Sequence, residues 1–217
     1  MKRACITGGH GDLAQAIARQ WNAPEWVVET PGRTDLDVCD EGAIQSYFQN
    51  RSPDLLICAA GLTKDALLVK LTEWDWDEVQ QVNFLGARHC ANQVLPKMAA
   101  KGEGHVIFIS SHSAIHPPCG QVAYASAKAA LIGLTKDLAT RFGPANVRVN
   151  VIMPGFLPTR MTAAVSQERT EKVRQAHALQ RFNTAAEVAR FVHFLHHHLP
   201  HTSGQCFQLD SRDPAMF

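Results

Sequence analysis

A chain of 217 residues is long enough to bury the core of one α/β domain and too short to suggest two, so a single domain over 1–217 is expected. Its 21 basic and 20 acidic residues leave a formal charge of +1 without long charge runs, which excludes an electrostatic grip on nucleic acid or an anionic membrane and points to a small or carrier-borne ligand. Six cysteines (5, 39, 58, 90, 119 and 206) lack C-x-x-C spacing and sit mostly in apolar segments, as small buried side chains of a reducing, cytoplasmic protein do; no stretch approaches a membrane span or a signal sequence.

Strand-like runs fall at 3–6, 26–29, 54–59, 105–110, 147–152 and 205–209. Helical patterns fall at Asp12–Trp21, Asp40–Gln49, Thr72–Ala100, Val122–Phe142 and from Thr184, an N-cap followed three residues later by Glu187, to about His198. The alternation predicts a doubly wound parallel sheet, Rossmann-like, with helices on both faces. Between the second strand and the acidic pair Asp37 and Asp40 only TPGRTDL intervenes, short of the usual crossover of ~10 to 12 residues. The fold is therefore trimmed between strands two and three: either a helix is missing from one face, or the chain runs almost directly into a short third strand.

The first strand leads into TGGHGDLA, Thr7 to Ala14. A dinucleotide-binding G-x-G-x-x-G/A turn needs glycine for the turn, glycine where backbone meets pyrophosphate, and a small residue where helix packs on strand. Gly9, Gly11 and Ala14 fill those places. Asp12 falls at the helix start, where a carboxylate can cap backbone N–H groups; pointing at a pyrophosphate it would repel it, so it is expected to point away.

Farther along, YASAK sets Tyr124 and Lys128 four residues apart, on one helix face. A phenol of pKa ~10 is a poor acid and base at neutral pH, and a fixed neighbouring cation lowers that value. Ser110, Ser111 and Ser113 end a predicted strand, where the carboxyl ends of parallel strands build ligand crevices.

With these residues in order, the chain resembles the short-chain dehydrogenase/reductase family. The family's Y-x-x-x-K matches Tyr124 and Lys128, its serine thirteen residues upstream matches Ser111 rather than Ser110 or Ser113, and its helix asparagine matches Asn83 in VQQVNFLG. Its turn after the fourth strand appears as Cys58, Ala59, Ala60, Gly61; PGFLPT (154–159), RFNTAAEVA and SGQCFQLD also match. Gly61 to Gly86 looks like the corresponding segment of β-ketoacyl-acyl-carrier-protein reductases. The resemblance implies reduction of a 3-oxoacyl thioester on an acyl carrier protein, with Tyr124 the proton donor, Lys128 on the nicotinamide ribose and lowering the tyrosine pKa, Ser111 on the developing alkoxide and Asn83 holding a relay water. It implies NADP(H) held by Thr7, Gly8, Gly9, Gly11, Leu13, Arg33, Asp37, Val38, Ala59, Ala60, Gly61, Tyr124, Lys128, Pro154, Gly155 and Thr159. NADP is favoured because about Pro31 stands where relatives that prefer NAD carry an acid, and Arg33 follows. It further implies a homodimer or homotetramer through the long helices.

Three departures stand out: Asp12 and Ala14 replace glycines of the family's commonest loop, the segment after strand two is trimmed, and the mouth arginines that relatives use for the carrier have no clear match. Lys97, Lys101 and Arg141 are candidates for the last role, against the blander reading of solvated charges. The cluster His193, His196, His197, His198 and His201 reads as a polar face of the last helix and its exit, not a metal site, and at least one of Trp74 and Trp76 as a packing residue. A reductase of another carbonyl (free ketone, polyketide, pterin) and a non-catalytic dinucleotide-binding relative remain open beside the thioester reductase.

Overall fold

The computed structural model describes residues 1–21 and 24–212; residues 22–23 and 213–217 of the expected domain lie outside the described residues. Six strands, β1 (Lys2–Thr7), β2 (Trp26–Glu29), β3 (Leu55–Cys58), β4 (Gly104–Ile109), β5 (Val147–Met153) and β6 (Cys206–Gln208), form one parallel sheet in the order β2-β1-β3-β4-β5-β6. The central strands β3 (LLIC) and β4 (GHVIFI) carry near-continuous apolar runs because both their faces are covered. Leu56, Cys58, Val106, Phe108, Val149 and Val151 pack toward α2 (Glu41–Gln49), α4 (Gly86–Lys101) and α5 (Val122–Phe142). Their chain neighbours Leu55, Ile57, Ile107, Ile109 and Ile152 pack toward α1 (Asp12–Ala18) and α7 (Ala185–His198).

Parallel register brings the strand ends level, with Thr7 opposite Cys58, Cys58 opposite Phe108, Ile109 opposite Ile152 and Met153 opposite Gln208. The glycine loop, Ala59–Gly61, Ser110–Ser111, Pro154–Gly155 and Asp210–Arg212 therefore meet along one edge, where ligands of such sheets bind.

The trimmed segment follows the first alternative, a missing helix, and goes beyond it. Residues 30–40 form turns, and the next strand, β3, lies on the far side of β1. A helix and a strand are both missing, so β2 is the sheet edge. The segment is nonetheless anchored: Leu36 and Val38 join the core, and Asp40 caps α2 by accepting from Ala43 N at 3.1 Å.

The helix expected over Thr72–Ala100 divides into α3 (Glu73–Gln80), one π turn (Gln81–Leu85) and α4. Thr72 caps it, accepting from Asp75 N at 3.0 Å, and Gly102 in the left-handed region (φ 76°) ends it. Within α3, Trp76 packs against Val79 and Ala123 while Trp74 is exposed. Thr184 and Glu187 form the capping box that begins α7. A further helix, α6 (Gln167–Gln175), stands where no helix was expected; Ser166 caps it, accepting from Arg169 N at 3.2 Å. No helix among the described residues is long and apolar enough to cross a membrane. Of the six cysteines, all free thiols, Cys5, Cys58 and Cys90 are buried as expected, whereas Cys39, Cys119 and Cys206 are exposed.

The histidines of α7 are not simply a solvated face. His196 lies 3.3 Å, Nδ1 to Nδ1, from the fully buried His105, whose Nε2 meets Asn150 Nδ2 at 3.0 Å, and Trp21 and Trp26 pack edge-on to the His196 ring. Among the described residues no group of His, Cys, Asp and Glu is arranged to hold a metal ion. Burial, aided by Arg148, holds His105 well below its ordinary value of 6.5, and burial with His197 and Arg148 brings His196 down to about 3. Both are neutral when folded and bind protons when unfolded, so their contribution is full above about pH 6.5 and declines as pH falls below it, for His196 until about 3. The slope approaches about 1.4 kcal/mol per pH unit for each group. Melting temperature is expected to drop between pH 6.5 and 4, before most carboxylates titrate, and His196→Phe to flatten that drop; an unchanged melting temperature across this range contradicts the assignment.

Candidate active site

Three serines follow β4, and their partners separate them. Ser110 is buried and donates to Lys128 O at 2.8 Å, pinning α5 to the strand. Ser113 donates to Gln121 Oε1 at 3.0 Å. Ser111 accepts from Ser113 N at 3.1 Å, faces the Tyr124 hydroxyl and lines a cavity of about 1220 Å³. Tyr124 and Lys128, one turn apart on α5, line the same cavity. Lys128 Nζ donates to Ile109 O at 2.9 Å and stands 5.7 Å from the centre of the Tyr124 ring.

Asn83 sits on the π turn, a device frequent at functional sites. Its Nδ2 donates to Val79 O (2.9 Å) and Leu62 O (2.8 Å), tying the turn to the loop after Gly61. Its Oδ1 is buried and meets no donor among the described residues. A Cβ placed on Gly61 would lie 2.9 Å from that oxygen and 3.5 Å from Lys128 Nζ, so glycine keeps the cradle between them open.

The electrostatics correct one expectation. Burial, the largest influence, pushes the Tyr124 phenol up to about 12, opposed by the hydrogen bond from Ser111; the Lys128 ammonium does not bring it below its ordinary value. Burial likewise brings Lys128 down to about 8. Desolvation outweighs the attraction the sequence spacing suggested: Lys128 is buried and Tyr124 half-buried where they line the cavity.

The glycine loop is shaped by its neighbours. Gly8 takes φ 67°, and a Cβ there would meet Ala60 Cα at 2.7 Å; a Cβ on Gly9 would meet Thr30 O at 2.0 Å. Thr7 Oγ1 accepts from Ala59 N (3.2 Å) and Ala60 N (3.3 Å), holding the second turn against the first. Asp12 caps nothing. Its carboxylate receives Arg160 N at 2.7 Å and Arg160 Nε at 2.8 Å, and Arg160 Nη2 donates to His10 O. These bonds join segments 148 residues apart, and both partners line the cavity. Arg160 holds the Asp12 carboxyl below its usual range, so the acid in the loop carries its own counter-charge.

Of the predicted cofactor residues, Gly11, Leu13, Ala59, Gly61, Tyr124, Lys128, Pro154, Gly155 and Thr159 line the cavity. Thr7, Gly8, Gly9 and Ala60 stand behind them as support. Arg33, Asp37 and Val38 lie beyond it: Arg33 pairs with Asp37 at 3.2 Å, and Val38 is a core residue against which Gly86 packs. The bases suggested for carrier docking are engaged elsewhere, Lys97 on Phe48 O and Gln49 O, Lys101 on Asp54 and Glu103, Arg141 on Asp137. The cavity bases that sequence reasoning missed are Arg160, Arg169, Lys172 and Arg212. Arg169, Lys172, Val173 and Ala176 follow i, i+3, i+4, i+7 spacing behind a serine cap, a readable signal in an otherwise polar stretch.

A parallel Rossmann-like sheet with serine, tyrosine, lysine and a glycine turn at its carboxyl edge defines a dinucleotide-dependent oxidoreductase fold, and the chain belongs to the short-chain dehydrogenase/reductase family: the family model described as Enoyl-(Acyl carrier protein) reductase matches residues 9–211. Similar relatives include the 3-oxoacyl-(acyl-carrier-protein) reductase of Aquifex aeolicus, 36% identical over 195 residues covering 88% of this chain and 78% of the relative. That of Thermotoga maritima is 35% identical over 78% of this chain and 68% of its own. Among solved structures, one described as an NAD(P) dependent gluconate 5-dehydrogenase from Beutenbergia cavernae, with NADP bound at low occupancy, superposes with TM-score 0.92 at 25% identity, covering 97% of this chain and 95% of that one.

Proposed function

We propose that this chain is an NADPH-dependent reductase that converts a 3-oxoacyl thioester, borne on an acyl carrier protein, to the 3-hydroxyacyl thioester. The observation that carries the reading is the convergence of Ser111, Tyr124 and Lys128 on one cavity that the glycine loop also lines. Support for the substrate class comes from the relatives named 3-oxoacyl-(acyl-carrier-protein) reductase, and support for the cofactor from the neighbour solved with NADP.

The residues fit a dinucleotide: glycines keep backbone open at Gly8 and Gly61, and Asn83 Oδ1 and Lys128 Nζ flank the cradle. Gly11, Leu13, Ala59, Gly61, Lys128, Pro154, Gly155 and Thr159 would hold it. NADPH, when bound, supplies the hydride. Ser111 orients the keto oxygen by hydrogen bonding. Tyr124, protonated throughout the neutral range, hands its proton to that oxygen as negative charge develops there. The Lys128 ammonium steadies the phenolate left behind, and Asn83 Oδ1 accepts from a water through which the proton is restored. Homo-oligomer formation through α4 and α5 belongs to the same proposal.

The test follows NADPH and NADH absorbance with an acetoacetyl thioester and titrates an acidic acyl carrier protein. Saturable consumption, faster with NADPH, and saturable carrier binding are expected. Protein that binds NADPH yet reduces neither thioester nor simple ketone overturns the reading in favour of a non-catalytic relative.

Because burial brings Lys128 to about 8, its charge is lost as pH rises through that value. Log kcat/KM for reduction is expected to bend downward near pH 8, tending to tenfold per unit, with no inflection from the phenol below pH 10. A flat profile from pH 6 to 10 contradicts this role for Lys128.

A further inference from the structure

The cavity has a second charged wall that the proposed proton transfer leaves unused. The segment after β6 sets Arg212 there, with Asp210 buried behind it. The Asp210 side chain is wholly buried and that of Arg212 is 11% exposed. Arg212 donates through Nε (2.7 Å) and Nη2 to one oxygen, Oδ2, while Oδ1 accepts from Gln208 Nε2 at 2.9 Å. Arg212 nevertheless lines the cavity, and its Nη1 meets no acceptor among the described residues. His112, next in the chain after Ser111, lies in the field of both charges. Behind them the buried His177 ring stands 4.0 Å from Asp210, its Nε2 without a partner among the described residues. A backbone bridge from His177 to Arg212 and the bond from Ala178 N to Ser211 O (2.7 Å) fasten this wall to the end of α6.

Burying an ion pair costs desolvation energy, and an apolar wall of the same shape serves as well where only packing is required. A guanidinium fixed on one side by a carboxylate keeps its remaining N–H groups aimed at a second acceptor. The cavity as a whole favours an anion, since its lining holds the five cations Lys128, Arg160, Arg169, Lys172 and Arg212 against the two carboxylates Asp12 and Asp65. Among the described residues Asp12 engages only Arg160, on the glycine-loop side. With Asp210 directly behind Arg212, a monoanion balances this wall better than a dianionic phosphate.

We propose that Arg212 receives a carboxylate carried by the substrate beyond its ketone, so that the acyl chain reduced ends in a carboxylate and not in a plain alkyl group. This rests on the reaction proposed above. A carboxylate at that place has two sources, the far end of an acyl thioester or a free oxo acid.

The test compares, on the wild-type enzyme, a six-carbon 3-oxo thioester with a terminal carboxylate, its neutral methyl ester, and 5-oxohexanoate as a free acid. A KM at least tenfold lower for the carboxylate thioester than for its ester is expected, with the ratio falling to near one in Arg212→Gln. The double variant Asp210→Asn/Arg212→Gln, which leaves no unpaired buried charge, is expected to give the same ratio and guards against misfolding of the single variant. Equal KM values in the wild type, or a preference that survives in the double variant, overturn the assignment while leaving thioester reduction intact. Turnover of 5-oxohexanoate but not of the thioesters keeps Arg212 in its role and overturns the thioester reading. If nothing is reduced, glutarate binding measured by calorimetry decides: saturable binding lost in the double variant supports the subsite, and no binding overturns it.

Discussion

Tyr124→Phe is expected to lower thioester reduction by about 10² to 10⁴-fold, the range general acid catalysis supplies, while NADPH binding stays within about threefold. The separation follows from where the hydroxyl stands. The ring packs beside Val79, Ala123 and Ala127, contacts phenylalanine keeps, whereas the hydroxyl meets Ser111 in the cavity wall. Losing it removes the proton source and leaves the glycine loop and Lys128 untouched. Steady-state rates with fluorescence titration of NADPH make the measurement. Activity within tenfold of wild type means that another group donates the proton, and the assignment of Tyr124 fails.

Gly9→Ala is expected to destabilise the chain by about 1 to 3 kcal/mol, the cost of overpacking a closed site, lowering the melting temperature by roughly 3 to 10 °C for a domain of this size and weakening NADPH binding. The added methyl would lie 2.0 Å from the carbonyl oxygen of Thr30 and 2.4 Å from its carbon, backbone atoms that cannot rotate aside. Gly11→Ala is the control. Its φ of −72° suits any residue and its nearest neighbour, Gly8 O, lies at 3.1 Å, so a shift of a few tenths of an ångström accommodates it. Differential scanning calorimetry on the two variants tests the contrast; equal melting temperatures refute it.

That contrast marks what a motif conveys. Gly9 and Gly11 are equivalent letters in a pattern, yet one is constrained by the turn after β2 and the other hardly at all. The sheet and its two helical layers were readable because the inner strands carry apolar runs such as ACI, LLIC and VIFI, and Tyr124 with Lys128 because one helical turn joins them. Asp12 was not: its partner Arg160 stands 148 residues away, and no local rule couples them. The tyrosine pKa was misjudged because spacing reports a neighbour and not the loss of water around it. Helix α6 was passed over because charged residues fill most of it, its cavity face showing only in the i, i+3, i+4, i+7 order of Arg169, Lys172, Val173 and Ala176. His196 was assigned to a polar helix face because its partner, His105 on β4, stands 91 residues away.

The turn at residues 30–40 has one more effect. Gly9 N donates to Pro31 O at 2.9 Å, and the same turn leaves β2 as the outermost strand, hydrogen-bonded on one side only. Fraying at this margin and loosening of the phosphate turn are therefore a single event. Amide deuterium uptake across residues 26–31 should slow when nucleotide is added, a protective signal carried to a boundary that the ligand itself need not touch.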